Sequence, residues 1–154
     1  MKIETVSIIY KHPKILLGMK KVRFGKGKYN GFGGGVEKYE TIKESAIRET
    51  FDESEITMLN PLKKGIILFH FQSKEDDHEV HFFKADKIEG TPKETEEMKP
   101  KWFQINQIPY DLMWPDDKYW LPLLLEDKCF KGNFEFDLEG KIAKYELNEV
   151  QILD

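Results

Sequence analysis

Gly34-Gly35-Val36-Glu37-Lys38-Tyr39-Glu40-Thr41-Ile42-Lys43-Glu44-Ser45-Ala46-Ile47-Arg48-Glu49-Thr50-Phe51-Asp52-Glu53-Ser54-Glu55-Ile56 joins a glycine loop to a short helix. Thr41 followed by Glu44 is a capping-box pattern: the threonine hydroxyl caps the first turn while the glutamate reaches back. Ile42, Ala46, Ile47, Thr50 and Phe51 recur at helical spacing and predict one apolar face. At about 100° per residue, Glu49, Asp52 and Glu53 share an arc beside that face. Their i, i+3, i+4 spacing lets the carboxylates share an ion or repel one another. An acidic helix face is ordinarily just solvated. Next to a glycine turn and the Arg48-Glu49 pair, however, the concentrated charge suggests a divalent metal with a phosphate-bearing ligand.

Outside this stretch the chain reads as one domain over residues 1–154, large enough for a single core. Hydrophobic residues make up 40% and charged residues 34%, the balance of a soluble globular protein. A formal charge of −4 argues against a nucleic-acid polymer as the main partner, which would need a basic surface. A small nucleotide remains compatible, since a metal and a few lysines handle a triphosphate locally. The single Cys129 has no partner for an intramolecular disulfide and points to a reducing compartment. No apolar run approaches membrane-spanning length, and Met1-Lys2-Ile3-Glu4 opens no signal peptide, so a cytoplasmic protein with no membrane partner is expected.

The remaining segments predict an α+β fold. Ile3 to Tyr10 and Ile15 to Met19 read as strands joined at His12-Pro13, with Gly25-Lys26-Gly27 as a loop. Ile66 to Phe71 and Glu79 to Ala85 read as a hairpin, Lys87 to Lys99 as a charged loop, and Trp102 to Ile105 as a short strand. Asp117 to Leu125 reads as a second helix, entered through Pro115 and capped by Asp116-Asp117. Phe130 to Phe136 and Ile142 to Val150 suggest a closing hairpin turned at Glu139-Gly140. His12, His70 and His81 show no metal-ligand spacing and read as surface or strand residues.

Gly34, Glu40, Arg48, Glu49, Glu53 and Ile56 together resemble the Nudix box, a glycine-to-aliphatic motif built around Arg-Glu-x-x-Glu-Glu. Three positions depart from it. Thr50 stands for an aliphatic residue, Asp52 for a glutamate, and Glu55 for the closing glycine. A left-handed backbone at Glu55 would cost about 1 kcal/mol. The likeness runs on through Asn30-Gly31-Phe32-Gly33-Gly34, Gly90-Thr91-Pro92, Glu97-Met98-Lys99-Pro100-x-Trp102-Phe103 and Trp114-Pro115-Asp116-Asp117-x-Tyr119-Trp120. In these the chain is similar to the animal-type oxidized purine nucleoside triphosphate hydrolases of the Nudix superfamily, from about Thr5 to Val150.

That resemblance implies a mixed sheet between helices (α/β/α) and hydrolysis of 8-oxo-dGTP or 2-oxo-dATP to the monophosphate and pyrophosphate. It implies Mg²⁺, with Mn²⁺ as an alternative, held by Glu49, Asp52, Glu53, the Gly33 backbone and a loop glutamate matched by Glu97. Glu53 is the favoured general base and Glu97 the alternative; Arg48 would orient Glu49. Gly33, Gly34 and Gly35 would let the backbone approach the ligand. Thr5 and Lys20 match substrate-contacting positions. Asn30 offers donor and acceptor to a purine edge, Trp114 a stacking face, and Phe24, Phe32 and Phe71 further contacts. Asp116 and Asp117 read either as helix caps or as a base-reading pair in which one carboxyl stays protonated. Tyr29 stands for a tryptophan, His78 for a methionine, and Glu4 for an aromatic at the pocket mouth. A monomer acting on a small-molecule nucleotide is expected. The rival readings are a Nudix hydrolase for another nucleoside diphosphate linked to a further group, and a Nudix module that binds nucleotide without turnover.

Overall fold

Alternation along the strands settles where the core lies. Ile8, Ile15, Leu17, Val80 and Phe82 are buried on one face of a sheet, and Ile9, Leu16, Phe83 and Ala85 on the other. A sheet apolar on both faces needs a helix on each. The computed structural model, which describes residues 1–153, supplies them.

The strands are β1 (Lys2–Lys11), β2 (Lys14–Lys20), β3 (Tyr29–Asn30), β4 (Thr57–Met58), β5 (Leu62–Phe71), β6 (His78–Ala85), β7 (Ile88–Glu89), β8 (Met98–Gln104), β9 (Cys129–Phe136) and β10 (Ile142–Val150). The helices are α1 (Ile42–Ser54) and α2 (Asp117–Leu125). The main sheet runs β10-β9-β5-β6-β1-β2-β3, with β8 on β2, while β4 and β7 form a separate ribbon. It is mixed: β1 lies parallel to β6 and β5 parallel to β9, and the other pairs are antiparallel. Trp120, Leu121 and Leu124 of α2 cover one face; Ala46 of α1 covers the other. The α+β class and the sheet between helices expected from sequence are present.

Several elements differ from their sequence reading. The expected strand at Trp102 to Ile105 begins earlier, at Met98, and so shortens the expected loop, which also contains β7. Pro100 hides it in the sequence, yet a proline is tolerated because β8 pairs only with β2 and lies at an edge. Phe51 is exposed rather than core, because the buried stripe of α1 runs through Ser45, Ala46, Thr50, Glu53 and Ser54. The capping box at Thr41 and Glu44 forms as expected. Glu55 takes the left-handed conformation, φ 61°, at an expected cost of about 1 kcal/mol relative to glycine.

The site is created by a split in the sheet. β1 pairs with β2 only from Ile9 to Lys11. Its first half diverges, and residues 29–36 fill the gap: β3 pairs with Gly18 and Met19 of β2, while Ser7 bridges to Phe32 and Glu4 to Gly35. Phe32 and Gly34 turn their carbonyls towards β1, bonding Ser7 N–H and Thr5 N–H. By strand alternation the polar groups of Gly33 face the other way, towards α1. A Cβ at Gly33 would come within 1.7 Å of the Thr5 carbonyl oxygen. Gly33→Ala is therefore expected to destabilise the fold by about 3 kcal/mol or more, lowering Tm by on the order of 10 °C. Thermal denaturation checks this, and an unchanged Tm would mean the strand relaxes freely.

Candidate active site

Glu53 projects from the buried stripe of α1 into this split. Its Oε1 accepts from the Gly33 N–H at 2.9 Å, and its side chain is 3% exposed. Burial raises its pKa to about 8, against the opposing pull of the Gly33 hydrogen bond and the Lys20 charge. Glu49 lies against Gly34, where a Cβ would meet its carboxyl carbon at 2.8 Å. Burial raises the Glu49 pKa as well, opposed by Arg48. Across the split, Glu97 is held by Arg23 at 2.8 Å, which lowers its pKa. The Lys20 ammonium stands between, 3.7 Å from Glu53 and 3.6 Å from Glu97.

Arg48 organises the outer side of the cluster. Its Nε and Nη2 donate to the two oxygens of Glu40 at 3.0 and 2.7 Å; its Nη1 donates to Glu49 at 2.8 Å and Asp52 at 3.5 Å. The bidentate partner is thus Glu40, whose pKa the guanidinium holds down at about 2, and Glu49 receives a single bond. The pairing fixes the guanidinium plane and so the bond it gives Glu49. Asp52, the shorter acid, is largely exposed and reaches only Arg48.

Among the described residues, no three acidic, histidine or cysteine side chains converge as a metal-holding group on their own. Lysine and arginine occupy the gaps between the carboxylates instead. Glu53, Glu49 and Glu97 nevertheless fit a hard cation: they are oxygen donors gathered around Lys20 and Arg48, and burial raises the pKa values of the two on α1, so that a cation beside them would favour their ionised forms.

Because Glu53 binds its proton more tightly when folded, the native state holds more protons than the unfolded chain between about pH 4.3 and 8. Stability contributed by the neutral acid is present at low pH and is lost as pH rises through about 8. The buried Asp116 and Asp117 act in the same direction. In chelator, Tm should fall from pH 5 to pH 8, and Glu53→Gln should make that fall shallower. Parallel Tm profiles for the two proteins would contradict the assigned burial cost.

Two adjoining cavities open beside this cluster. The smaller, about 170 Å³, is lined by Glu4, Thr5, Lys20, Gly33, Gly34 and Glu53 among others. The larger, about 410 Å³, is walled by aromatic rings including Phe71, Phe82, Trp114 and Trp120, with Asp116 and Asp117 at its base. Both share Val6, Phe24, Asn30, Gly31, Val80 and Trp114. Phe24 stacks on Trp114, ring centres 4.9 Å apart, and Lys28 sits over the same indole. Asn30 donates its amide N–H to the Lys28 carbonyl, which fixes the amide and leaves its oxygen as acceptor.

The aspartates do not cap α2. Asp116 has helical backbone angles and makes no side-chain cap bond; its carboxylate accepts from the Trp120 indole N–H at 2.9 Å. Burial raises the pKa of both acids. Asp117, beside the Asp116 charge and without so direct a donor, is raised well above the usual carboxylate range. This favours an acceptor at Asp116 and a proton on Asp117.

Of the other residues expected at the site, Thr5 is buried, its hydroxyl without a partner, on the smaller cavity. Phe32 lines neither cavity; its ring is fully buried in the core beneath α1. Gly35 lines neither cavity, and its carbonyl accepts from Arg48. Pro115 lines neither and only leads into Asp116. Trp120, buried in the core, also holds Asp116, and the i, i+4 spacing was the available signal. His78, read from sequence as a changed pocket position, lies on the larger cavity, and Gly31, on both cavities, was not among the expected contacts.

The profile of the NUDIX domain family matches residues 1–124. This chain belongs to the NUDIX family. It is 46% identical over 149 residues to the oxidized purine nucleoside triphosphate hydrolase of Mus musculus, covering 97% of this chain and 96% of that one. It is 44% identical over 152 residues to the Danio rerio protein of the same name, covering 99% and 97%. The crystal structure of the MutT protein from Bacillus halodurans superposes with a TM-score of 0.85 at 28% identity, covering 96% of this Nudix chain and 98% of that one. No helix among the described residues is long and apolar enough to cross a membrane.

Proposed function

We propose that this Nudix protein hydrolyses oxidised purine nucleoside triphosphates such as 8-oxo-dGTP and 2-oxo-dATP to the monophosphate and pyrophosphate, sanitising the nucleotide pool. One observation carries the reading: an aromatic cavity ending in two buried aspartates shares its rim with a smaller cavity ending in Lys20 and Glu53. A purine fits the first and its phosphates the second. The names of the mouse and zebrafish relatives agree with it.

Glu49, Glu53 and Glu97, with the Gly33 carbonyl and Asp52 at the rim, are the residues to hold the divalent metal that Nudix hydrolases generally need, here Mg²⁺. When bound, such an ion neutralises phosphate oxygens and makes a nearby water more acidic. Lys20, on the smaller cavity, would meet the phosphate oxygens as a point charge. Glu53, unable to lose its proton cheaply while buried, is suited to take one from the attacking water, with Glu97 as the alternative base. Arg48 positions Glu49 through its fixed pairing with Glu40. The glycines let the phosphate chain lie against backbone. In the larger cavity Trp114 stacks on the base, Asn30 offers its oxygen, Asp116 accepts and Asp117 donates.

Product analysis over Mg²⁺ with 8-oxo-dGTP, 2-oxo-dATP, dGTP, ADP-ribose and Ap4A tests the assignment. Monophosphate and pyrophosphate from the oxidised triphosphates, formed faster than from dGTP, is the expected result. Faster cleavage of ADP-ribose would replace it with the rival hydrolase, and no turnover of any compound with a non-catalytic module.

A further inference from the structure

We propose that Glu4 recognises the nucleotide sugar, its carboxylate aimed at a sugar hydroxyl by His78. The inference rests on the reading of the larger cavity as the base compartment and the smaller as the phosphate compartment. Glu4 lines only the smaller cavity and His78 only the larger, yet His78 Nδ1 lies 2.6 Å from Glu4 Oε1. The pair therefore spans the boundary that a sugar must cross when base and phosphates occupy the two compartments.

Chain geometry makes the pairing possible. β1 and β6 run parallel, with Glu4 opposite Val80 and Lys2 opposite His78. Side chains two apart on a strand share a face, so the side chains of Glu4 and His78 meet diagonally on the cavity side. The imidazole is itself fixed edge-on against Phe71, centres 5.1 Å apart. His78 engages Oε1 and leaves Oε2 as an acceptor. An ionised carboxylate only accepts hydrogen bonds and repels phosphate, so its complement at this boundary is a hydroxyl. Thr5, the next residue, turns into the smaller cavity and is buried; Glu4 alone supplies negative charge to the rim on the β1 side.

The test is a cycle of protein and sugar changes read as kcat/KM. Wild-type protein is assayed on 8-oxo-dGTP and on its 2′,3′-dideoxy analogue, then Glu4→Ala and Glu4→Gln on both. Wild type should prefer the hydroxylated sugar by about tenfold, the scale of one hydrogen bond to a charged group. Glu4→Ala should reduce that preference below about threefold by slowing the deoxynucleotide and leaving the dideoxynucleotide nearly unchanged. His78→Asn, which keeps a donor near Nδ1, should retain most of the preference, whereas His78→Phe should lose it. Preference between 8-oxo-dGTP and dGTP should not follow these variants, which separates sugar reading from a general loss of packing. A sugar preference that survives Glu4→Ala, or its absence in wild type, overturns the proposal. No cleavage of any triphosphate by wild type overturns the nucleotide reading beneath it.

Discussion

Replacing Glu53 by Gln should lower turnover of 8-oxo-dGTP by about a thousandfold while leaving nucleotide affinity within about threefold. The substitution removes the titratable oxygen and keeps the shape. Glu53 Oε1 accepts from Gly33 N–H at 2.9 Å, and the glutamine oxygen reproduces that bond, so the strand beside α1 stays in place. What is lost is the group that takes a proton and, above about pH 8, the negative charge it adds to that of Glu97 beside Lys20. Stability should rise in the same variant above neutral pH, because an ionised carboxylate at a 3% exposed position is no longer required. The combination of a more stable protein and an almost inactive one distinguishes a functional acid from a structural one. Single-turnover rates and equilibrium binding of the nucleotide check it. If Glu97→Gln causes the larger loss and Glu53→Gln keeps a tenth of the activity, the base assignment passes to Glu97.

The second large effect is expected at Asp117. Two neighbouring acids, both buried, hold their protons according to what else reaches them. Asp116 receives the Trp120 N–H, whereas Asp117 has the Asp116 charge beside it, which raises its pKa further. A proton that can move between them lets the pair present donor-acceptor or acceptor-donor to a base edge. That versatility suits both oxidised guanine and oxidised adenine, whose edges differ in that order. Asp117→Asn fixes a donor there and ends the exchange. The ratio of kcat/KM for 8-oxo-dGTP to that for 2-oxo-dATP should shift by more than about twentyfold, the scale of a mispaired buried polar group. An equal loss on both nucleotides would place Asp117 outside base reading. Asp116→Asn should also alter base choice more than phosphate chemistry, with an added cost if the Trp120 bond is strained.

Much of this arrangement could be read from the chain because it is local. Thr41 and Glu44 announced the start of α1, and the spacing of Glu49 and Glu53 put both on one side of it. The closing hairpin followed from its turn at Glu139-Gly140, and α2 runs over Asp117–Leu125 as read, although the aspartates taken as its caps make no cap bond. What escaped was fixed by distant parts of the chain. Phe51 has helical spacing, but only the sheet decides which stripe of α1 it covers. Pro100 looks like a break until β8 is seen to lie at an edge. Phe32 sits among site residues in sequence, but the segment that fills the gap between β1 and β2 buries its ring in the core beneath α1. Glu49 and Glu53 were legible as neighbours on α1, whereas Asp52 stays exposed and the interleaving of the acids with Lys20, Arg23 and Arg48 depends on three separate segments meeting. Asp116 looked like a cap, and the Trp120 indole, one helical turn on, gave it another partner.

The central claim is spatial: purine among the aromatics above Asp116 and Asp117, phosphates against Glu49, Glu53 and Glu97. A crystal structure of the Glu53→Gln protein with 8-oxo-dGTP and Mg²⁺ measures it directly. The account predicts a base stacked on Trp114 with its edge within 3.2 Å of both aspartates, and a phosphate chain entering the smaller cavity beside Lys20. A base bound elsewhere, or a triphosphate lying far from position 53, would contradict it.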